Sequence, residues 1–323
     1  EYWEQTGGLP VFGYPLNDDH LERTPEGSFV SQTFERNRFE YHPEKQAPYD
    51  VLLGRLGAER LEQMGRDWRR EWQARPIGPD CEAIFAETTE FALCEPFRSY
   101  YHAHGLELDG QPGFTHAESL ALFGLPLSQA QMETNSSGHR VLTQWFERAR
   151  LEHHPGNPRA FQVLQGRLGA ELYGLEPLTF DDEDRGFQRW SAPGQADWNE
   201  AAGGFGGHYW WTCAENLGSA KQELGNFWAR WTGPRPPRGT YEVQVFVPSK
   251  NAGSRSVPYS IRVSLDEGVV KELDQSPWTG QWTPLQTLEL GSDVGVTVHS
   301  NTGEDGGCAR QMAADAIRLV PKR

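Results

Sequence analysis

Lysine and methionine are scarce. In 323 residues there are five lysines (Lys45, Lys221, Lys250, Lys271 and Lys322) and 3 methionines, so arginine supplies 25 of the 30 basic side chains. Against 45 acidic residues these leave a net charge of −15. That deficit excludes sequence-independent nucleic-acid binding, whose affinity comes from neutralising phosphates, and docking on an anionic membrane surface. No apolar run approaches the ~20 residues of a membrane helix. Cys-x-x-Cys does not occur, which removes zinc ribbons and dithiol redox motifs. Gly-x-Ser-x-Gly, His-Glu-x-x-His, Walker-type and dinucleotide loops are missing too. What is present, 37% hydrophobic and 12% aromatic residues, is ample for packed cores and excludes a disordered chain. The length corresponds to two or three domains, and the arginine bias fits a durable protein or a GC-rich genome.

The 4 cysteines suggest two pairs, Cys81 with Cys94 and Cys213 with Cys308. Of three connectivities this one keeps each bond inside a candidate domain, and two disulfides imply an oxidising compartment. Glu1-Tyr2-Trp3 does not resemble an initiating segment, so the expectation is a secreted or cell-surface protein whose signal peptide is already removed.

An internal repeat organises the first half. Phe34-Glu35-Arg36-Asn37-Arg38-Phe39-Glu40-Tyr41-His42-Pro43 returns as Phe146-Glu147-Arg148-Ala149-Arg150-Leu151-Glu152-His153-His154-Pro155, and Val51 to Glu59 returns as Val163 to Glu171. Phe12-Gly13-Tyr14-Pro15-Leu16 reappears as Phe123-Gly124-Leu125-Pro126-Leu127. Each copy reads as turn chemistry at Phe-Gly-x-Pro, a two-stranded hairpin around Phe29 to Tyr41, and an amphipathic helix over Tyr49–Met64 or Phe161–Tyr173. A hairpin plus a helix buries one face at most, so pairing two copies closes a core. Repeat 2 has a helical lead-in from Phe97 to Leu120. Repeat 1 has only Glu1 to Pro10, which makes Tyr2 and Trp3 candidates for an assembly surface. These motifs resemble the LGFP-type repeats of bacterial cell-envelope proteins, and the tandem modules of secreted proteins from Chloroflexi-like bacteria. The resemblance implies an envelope or extracellular location and no chemistry.

From Gly186 the helical periodicity stops, and short runs rich in Val, Thr, Tyr and Trp alternate with Gly/Pro turns. Seven strands are expected, at Phe227–Thr232, Thr240–Val247, Tyr259–Leu265, Val269–Asp274, Trp282–Leu290, Gly295–His299 and Asp315–Val320, which suggests a β-sandwich. Trp231, Gly239-Thr240-Tyr241-Glu242-Val243, Pro258-Tyr259-Ser260-Ile261, Gly280-Gln281-Trp282-Thr283-Pro284-Leu285 and Ala314-Asp315-Ala316-Ile317-Arg318-Leu319 resemble the golvesin C-terminal domain. That module is similar to carbohydrate-binding β-sandwiches and is usually appended to secreted enzymes and surface proteins. The resemblance implies core roles for Trp231 and Trp282 and a structural carboxylate at Asp315. The fold class expected is therefore two α+β repeat units, residues 1–80 and 81–180, followed by an all-β sandwich over 181–323.

Tryptophan is the most telling residue type in the C-terminal half. Trp210, Trp211 and Trp278 stand near Gly- or Pro-containing loops and are candidates for stacking on a sugar ring or for an interface. Gly203-Gly204-Phe205-Gly206-Gly207 follows no strand-to-helix crossover and reads as a loop. Glu40 with His42 and Glu152 with His154 share strand faces, but no third ligand follows from the spacing; hydrogen bonding with Arg36, Arg38, Arg148 and Arg150 is the favoured reading. No metal, cofactor or catalytic residue is expected. Asn135-Ser136-Ser137 fits the N-glycosylation pattern. The leading functional expectation is a non-enzymatic, self-associating subunit of an extracellular filament, sheath or surface layer. The alternatives are an adhesion or carbohydrate-binding module that recognises an envelope glycan and, third, a secreted hydrolase without a recognisable motif.

Overall fold

The structure, a computed structural model, describes residues 1–70, 78–82, 91–218, 224–232, 236–264, 267–277, 279–291, 293–304 and 308–322. It divides into two compact units, Glu1–Glu133 with Val141–Tyr173, and Thr134–Arg140 with Gly174–Arg323. An α+β region precedes an all-β sandwich, as the sequence leads one to expect.

Both repeated segments fall in the first unit, apart from Thr134–Arg140 of the second copy. Repeat 1 opens with helices α1 (Tyr2–Thr6) and α2 (Gly8–Phe12), continues through strands β1 (His20–Thr24), β2 (Gly27–Thr33), β3 (Arg38–Tyr41) and β4 (Val51–Leu53), and ends in α3 (Leu56–Gln63). Repeat 2 starts with a two-residue ladder, β5 (Cys81–Glu82) and β6 (Leu93–Cys94), closed by the Cys81–Cys94 disulfide. Helices α4 (Phe97–Ala103) and α5 (His116–Phe123) follow, then β7 (Gln131–Thr134), β8 (Arg140–Trp145), β9 (Arg150–His153) and β10 (Val163–Gln165), and finally α6 (Leu168–Leu172). The α5 start is written locally: Thr115 Oγ1 accepts the Glu118 N–H at 3.3 Å while the Glu118 carboxylate accepts the Thr115 N–H at 2.8 Å, a reciprocal cap.

Each expected hairpin is the β2–β3 or β8–β9 core of a four-stranded antiparallel sheet, β1-β2-β3-β4 or β7-β8-β9-β10. The helices expected over Tyr49–Met64 and Phe161–Tyr173 need correction. Their first apolar residues form β4 and β10, pairing Leu53 with Phe39 and Val163 with His153, and helix begins only at Leu56 and Leu168. Four apolar residues at helical spacing do not separate a helix from a strand followed by a shorter helix. The open edge of the preceding strand decides, because it supplies backbone partners that a first helical turn lacks.

The two copies exchange contacts. The Gly57 and Ala58 N–H groups donate to the Glu147 carbonyl at 3.0 and 3.1 Å, and the Ala170 N–H donates to the Glu35 carbonyl at 3.1 Å. Each helix thus begins on the Phe-Glu-Arg turn of the other repeat. Glycine is required there: a Cβ on Gly57 would lie 1.9 Å from the Phe146 carbonyl oxygen, and one on Gly169 would lie 1.9 Å from that of Phe34. Around these contacts Phe12, Phe34 and Phe39 share a core with Phe97, Tyr101, Phe123 and Phe146. Tyr2 and Trp3 cover part of it. Tyr2 meets Phe39 edge-on at 5.2 Å and donates to the Val51 carbonyl at 3.2 Å, while Trp3 Nε1 donates to the Gly13 carbonyl at 3.3 Å.

The second unit holds twelve strands among the described residues: β11 (Leu178–Phe180), β12 (Phe187–Ser191), β13 (Asn199–Ala202), β14 (His208–Cys213), β15 (Phe227–Thr232), β16 (Gly239–Val247), β17 (Val257–Arg262), β18 (Gly268–Leu273), β19 (Gln281–Leu290), β20 (Gly295–His299), β21 (Gln311–Ala314) and β22 (Ile317–Pro321). They form sheets ordered β11-β22-β16-β19, β12-β15-β20-β17-β18 and β13-β14-β21. Alternation places Tyr241, Val243, Val245 and Val247 of β16 inward with Ala229 and Trp231 of β15, Tyr259 and Ile261 of β17, and Val296 and Val298 of β20. The Cys213–Cys308 disulfide ties the end of β14 to the segment before β21. Strands β11 to β14 and β21 escape the sequence reading, because they are short or interrupted by polar and glycine residues. Asn135 is buried, and its side chain accepts the His139 N–H at 2.9 Å, so the glycosylation pattern falls on an inaccessible amide.

Candidate functional site

A stacked pair of tryptophans lies on the outer face of the five-stranded sheet. Along β15, Phe227, Ala229 and Trp231 point into the core, so Trp228, Arg230 and Thr232 must point out. Register then sets Trp190 of β12 opposite Trp228 and Gln188 opposite Arg230. The two indoles stack at 6.1 Å with 17° between their planes, and Trp190 is 41% exposed. Arg230 lies 5.0 Å from the Trp228 ring, a cation–π contact, and its Nε donates to Thr297 Oγ1 at 3.0 Å.

Beyond Arg230 the same face opens into a cleft of about 440 Å³, lined by Arg230, Ser260, Arg262, Glu267, Val270 and Thr297 among others. Arg262 is held by Asp293 at 3.1 Å. An aromatic platform thus runs into a shallow polar trough with hydroxyl, guanidinium and carboxylate groups. Indole faces cover the C–H faces of a ring, and the polar groups direct hydrogen bonds to its substituents.

The residues singled out from sequence are dispersed. Trp210 is half-buried on β14, with the Arg189 guanidinium 3.7 Å above its ring and His208 edge-on at 5.1 Å. Arg189 is itself tied to Asp197 at 2.7 Å, and that bond, with the Trp198 N–H, holds the Asp197 carboxyl below the usual range. Trp211 is half-buried on the opposite face of the strand, and Trp278 lies outside the described residues. Trp231 sits in the core at 2% exposure, against Phe187. Trp282 does not fill the core. It packs half-buried on the outer side of the four-stranded sheet with Phe205, Phe246 and Arg318, because its β19 register sets it beside Phe246. Asp315 is buried and accepts the Phe205 N–H at 3.1 Å.

Glu40 and Glu152 engage arginines. Arg38 binds Glu40 at 2.6 Å and Glu59 at 2.6 Å, and Arg150 binds Glu152 at 2.6 Å and Glu171 at 2.7 Å. His42 lies 2.9 Å from Glu44, and His154 lies 3.1 Å from Glu152.

Sequence reasoning passed over Trp190 and Trp228. The signal for Trp228 was available, since two-residue alternation places it opposite Trp231. Its pairing with Trp190 depends on register between β12 and β15, strands distant in sequence, which no local pattern encodes.

Residues 194–321 match the golvesin C-terminal domain family. Among solved structures, the chain is similar to a Paenibacillus xanthan lyase at 16% identity and a TM-score of 0.36, over 56% of this chain and 14% of the lyase. It is also similar to a family 35 carbohydrate binding module from Clostridium thermocellum, at 15% identity and a TM-score of 0.30, over 44% of this chain and 98% of the module. A third is an exo-beta-1,3-galactanase from Phanerochaete chrysosporium, at 12% identity and a TM-score of 0.31, over 55% of this chain and 37% of the enzyme. No curated protein sequence matches the chain.

Proposed function

We propose that the C-terminal unit is a non-catalytic carbohydrate-binding module, and that the chain serves adhesion to a glycan outside the cell. The observation that carries this reading is the stacked pair of exposed Trp190 and half-buried Trp228 running through Arg230 into the cleft. The golvesin match supports it, because that family resembles carbohydrate-binding sandwiches. Among the described residues lining the cleft, Glu267 is the one carboxylate, whereas glycoside hydrolysis generally employs two. Two disulfides fit an oxidising, extracellular setting, and no helix among the described residues is long and apolar enough to cross a membrane. The paired repeats then act as an envelope-associated base, the role their LGFP-like motifs imply. A self-associating filament draws no support from Tyr2 and Trp3, whose rings pack on the chain's own core.

A glycan array followed by calorimetry on the best ligand tests the reading. Covering about 80 Å² of indole contributes about 2 kcal/mol, or about thirtyfold in affinity. Trp190→Ala and Trp228→Ala are therefore each expected to weaken binding by at least tenfold, with Arg230→Ala smaller. Absence of any glycan ligand, or unchanged affinity in the Trp190→Ala/Trp228→Ala double variant, overturns it.

A further inference from the structure

The cleft beside the tryptophan pair carries charge opposite to that of the chain as a whole. Pairing sets Arg230 of β15 beside Thr297 of β20, Thr297 beside Ser260 of β17, and Ser260 beside Val270 of β18. Two residues along the strands, Gly295 of β20 stands between Thr232 and Arg262, and Gly268 of β18 pairs with Arg262. Strand β20, which separates the two arginine-bearing strands, therefore offers the cleft only Gly295 and Thr297. A Cβ on Gly295 would lie 3.6 Å from Arg262 Nη2, so a large side chain there would crowd that guanidinium.

The charged residues lining the cleft are Arg230, Arg262 and Glu267, two cations against one anion in a chain of net charge −15. Glu267 is exposed and forms no ion pair with either arginine; its backbone carbonyl, not its carboxylate, accepts the Val263 and Ser264 N–H groups at 3.0 and 3.3 Å. Arg262 shares its charge with Asp293 at 3.1 Å, which is not part of the lining. Arg230 differs. Its Nε donates to Thr297 Oγ1 at 3.0 Å and its guanidinium lies 5.0 Å from the Trp228 ring, which together set its plane. Among the described residues no carboxylate pairs with it, and neither terminal NH2 group has a protein acceptor. A guanidinium oriented in this way presents a fork of parallel N–H donors, the geometry that matches a carboxylate. Neutral sugar hydroxyls do not require an unneutralised cation.

We propose that the glycan is acidic: the cleft takes a hexuronate residue whose carboxylate is bound by Arg230 and attracted by Arg262, while the saccharide continues onto the Trp228–Trp190 face. The inference rests on the carbohydrate-binding reading and adds the charge of the sugar to it. Repulsion from the rest of the chain is screened beyond about 8 Å at physiological ionic strength, so the two arginines of the cleft decide.

The test takes the full chain and oligosaccharides of polygalacturonate, alginate and hyaluronan, each beside its carboxyl-reduced counterpart, with affinities from calorimetry at low and high salt. At least one acidic oligosaccharide is expected to bind about tenfold more tightly than its reduced form, and less tightly as salt rises. Arg230→Gln is expected to weaken the acidic form about fivefold and to leave the reduced form within about twofold of wild type, which removes most of the discrimination. Arg230→Lys, which keeps the charge and loses the fork, falls between. Equal affinity for the two forms, or an Arg230→Gln variant that weakens both alike, overturns the proposal. A neutral ligand that binds through Trp190 and Trp228 while every acidic oligosaccharide fails sinks the charge assignment alone; no ligand of either kind sinks the carbohydrate-binding reading with it.

Discussion

Repeats 1 and 2 carry the same buried motif, an arginine between two glutamates, in different electrostatic settings. Around Arg38, Glu59 keeps 15% of its side chain exposed and Glu22 approaches at 3.7 Å from the sheet edge. Around Arg150, Glu171 is 2% exposed and gains a second cation, Arg60 of the other repeat, at 3.4 Å. The equivalent of Arg60 in repeat 2 is Leu172, so this clamp exists once. Two of these carboxyls, at non-equivalent positions of the motif, respond in opposite directions. Burial raises Glu40, and Arg38 offsets that only in part, leaving it above the usual range. Burial would raise Glu171 too, but Arg150 and Arg60 outweigh it and hold the group below that range. Duplication copied the charges; the asymmetric docking of the two helices decided what each charge costs.

The largest expected effect comes from removing the repeat-2 arginine. Arg150→Met takes from Glu152 its arginine and leaves the buried Glu171 with Arg60 alone, and should cost about 4 kcal/mol in urea unfolding. Arg38→Met should cost about 2 kcal/mol, because Glu59 retains access to water. Equal losses would erase the distinction between the copies.

Arg60→Leu gives repeat 1 the residue repeat 2 already has. It should cost about 2 kcal/mol at pH 7, through a charge-assisted contact to Glu171. It should also flatten the acid limb. An acid whose pKa is depressed on folding stabilises above its unfolded pKa, and that contribution is lost as pH falls through the folded value. Glu171 therefore loses stability on acidification, whereas Glu40, raised on folding, moves the other way. With the clamp weakened, urea midpoints at pH 7 and pH 3 should differ less in the variant than in wild type. A steeper acid loss in the variant would reverse the assigned sign.

The smallest effect tests the helical lead-in that distinguishes repeat 2. Thr115→Ala removes the α5 cap and should cost about 1 kcal/mol in the same assay. Because repeat 1 starts with two five-residue helices, which have no side-chain cap, no equivalent threonine exists there to lose.

Much of this fold can be read in one dimension. The repeat offset links Gly57 to Gly169 and Arg38 to Arg150, and the structure gives the glycines the same carbonyl neighbour and the arginines the same two glutamate positions as partners. The alternation of Tyr241 to Val247 marks a one-sided strand, which is how β16 sits. The boundaries of β4 and β10 are not legible, since a three-residue run gains a strand's hydrogen bonds only when a neighbouring edge is in place. The functional face was half legible. That Trp228 points away from Trp231 follows from chain geometry, but its partner Trp190 does not.

The sequence by itself determined the duplication, the change from α+β to all-β near Gly186, the net negative charge, and which strand residues face in or out. These are local or compositional properties, carried by side-chain period and charge count. Only the tertiary structure decided which tryptophans stack, which arginine clamps which glutamate, and that Arg230 and Arg262 border one cleft. Those outcomes depend on register and loop closure between distant segments, where burial multiplies the consequence of each charge and no neighbouring residue in the chain records it.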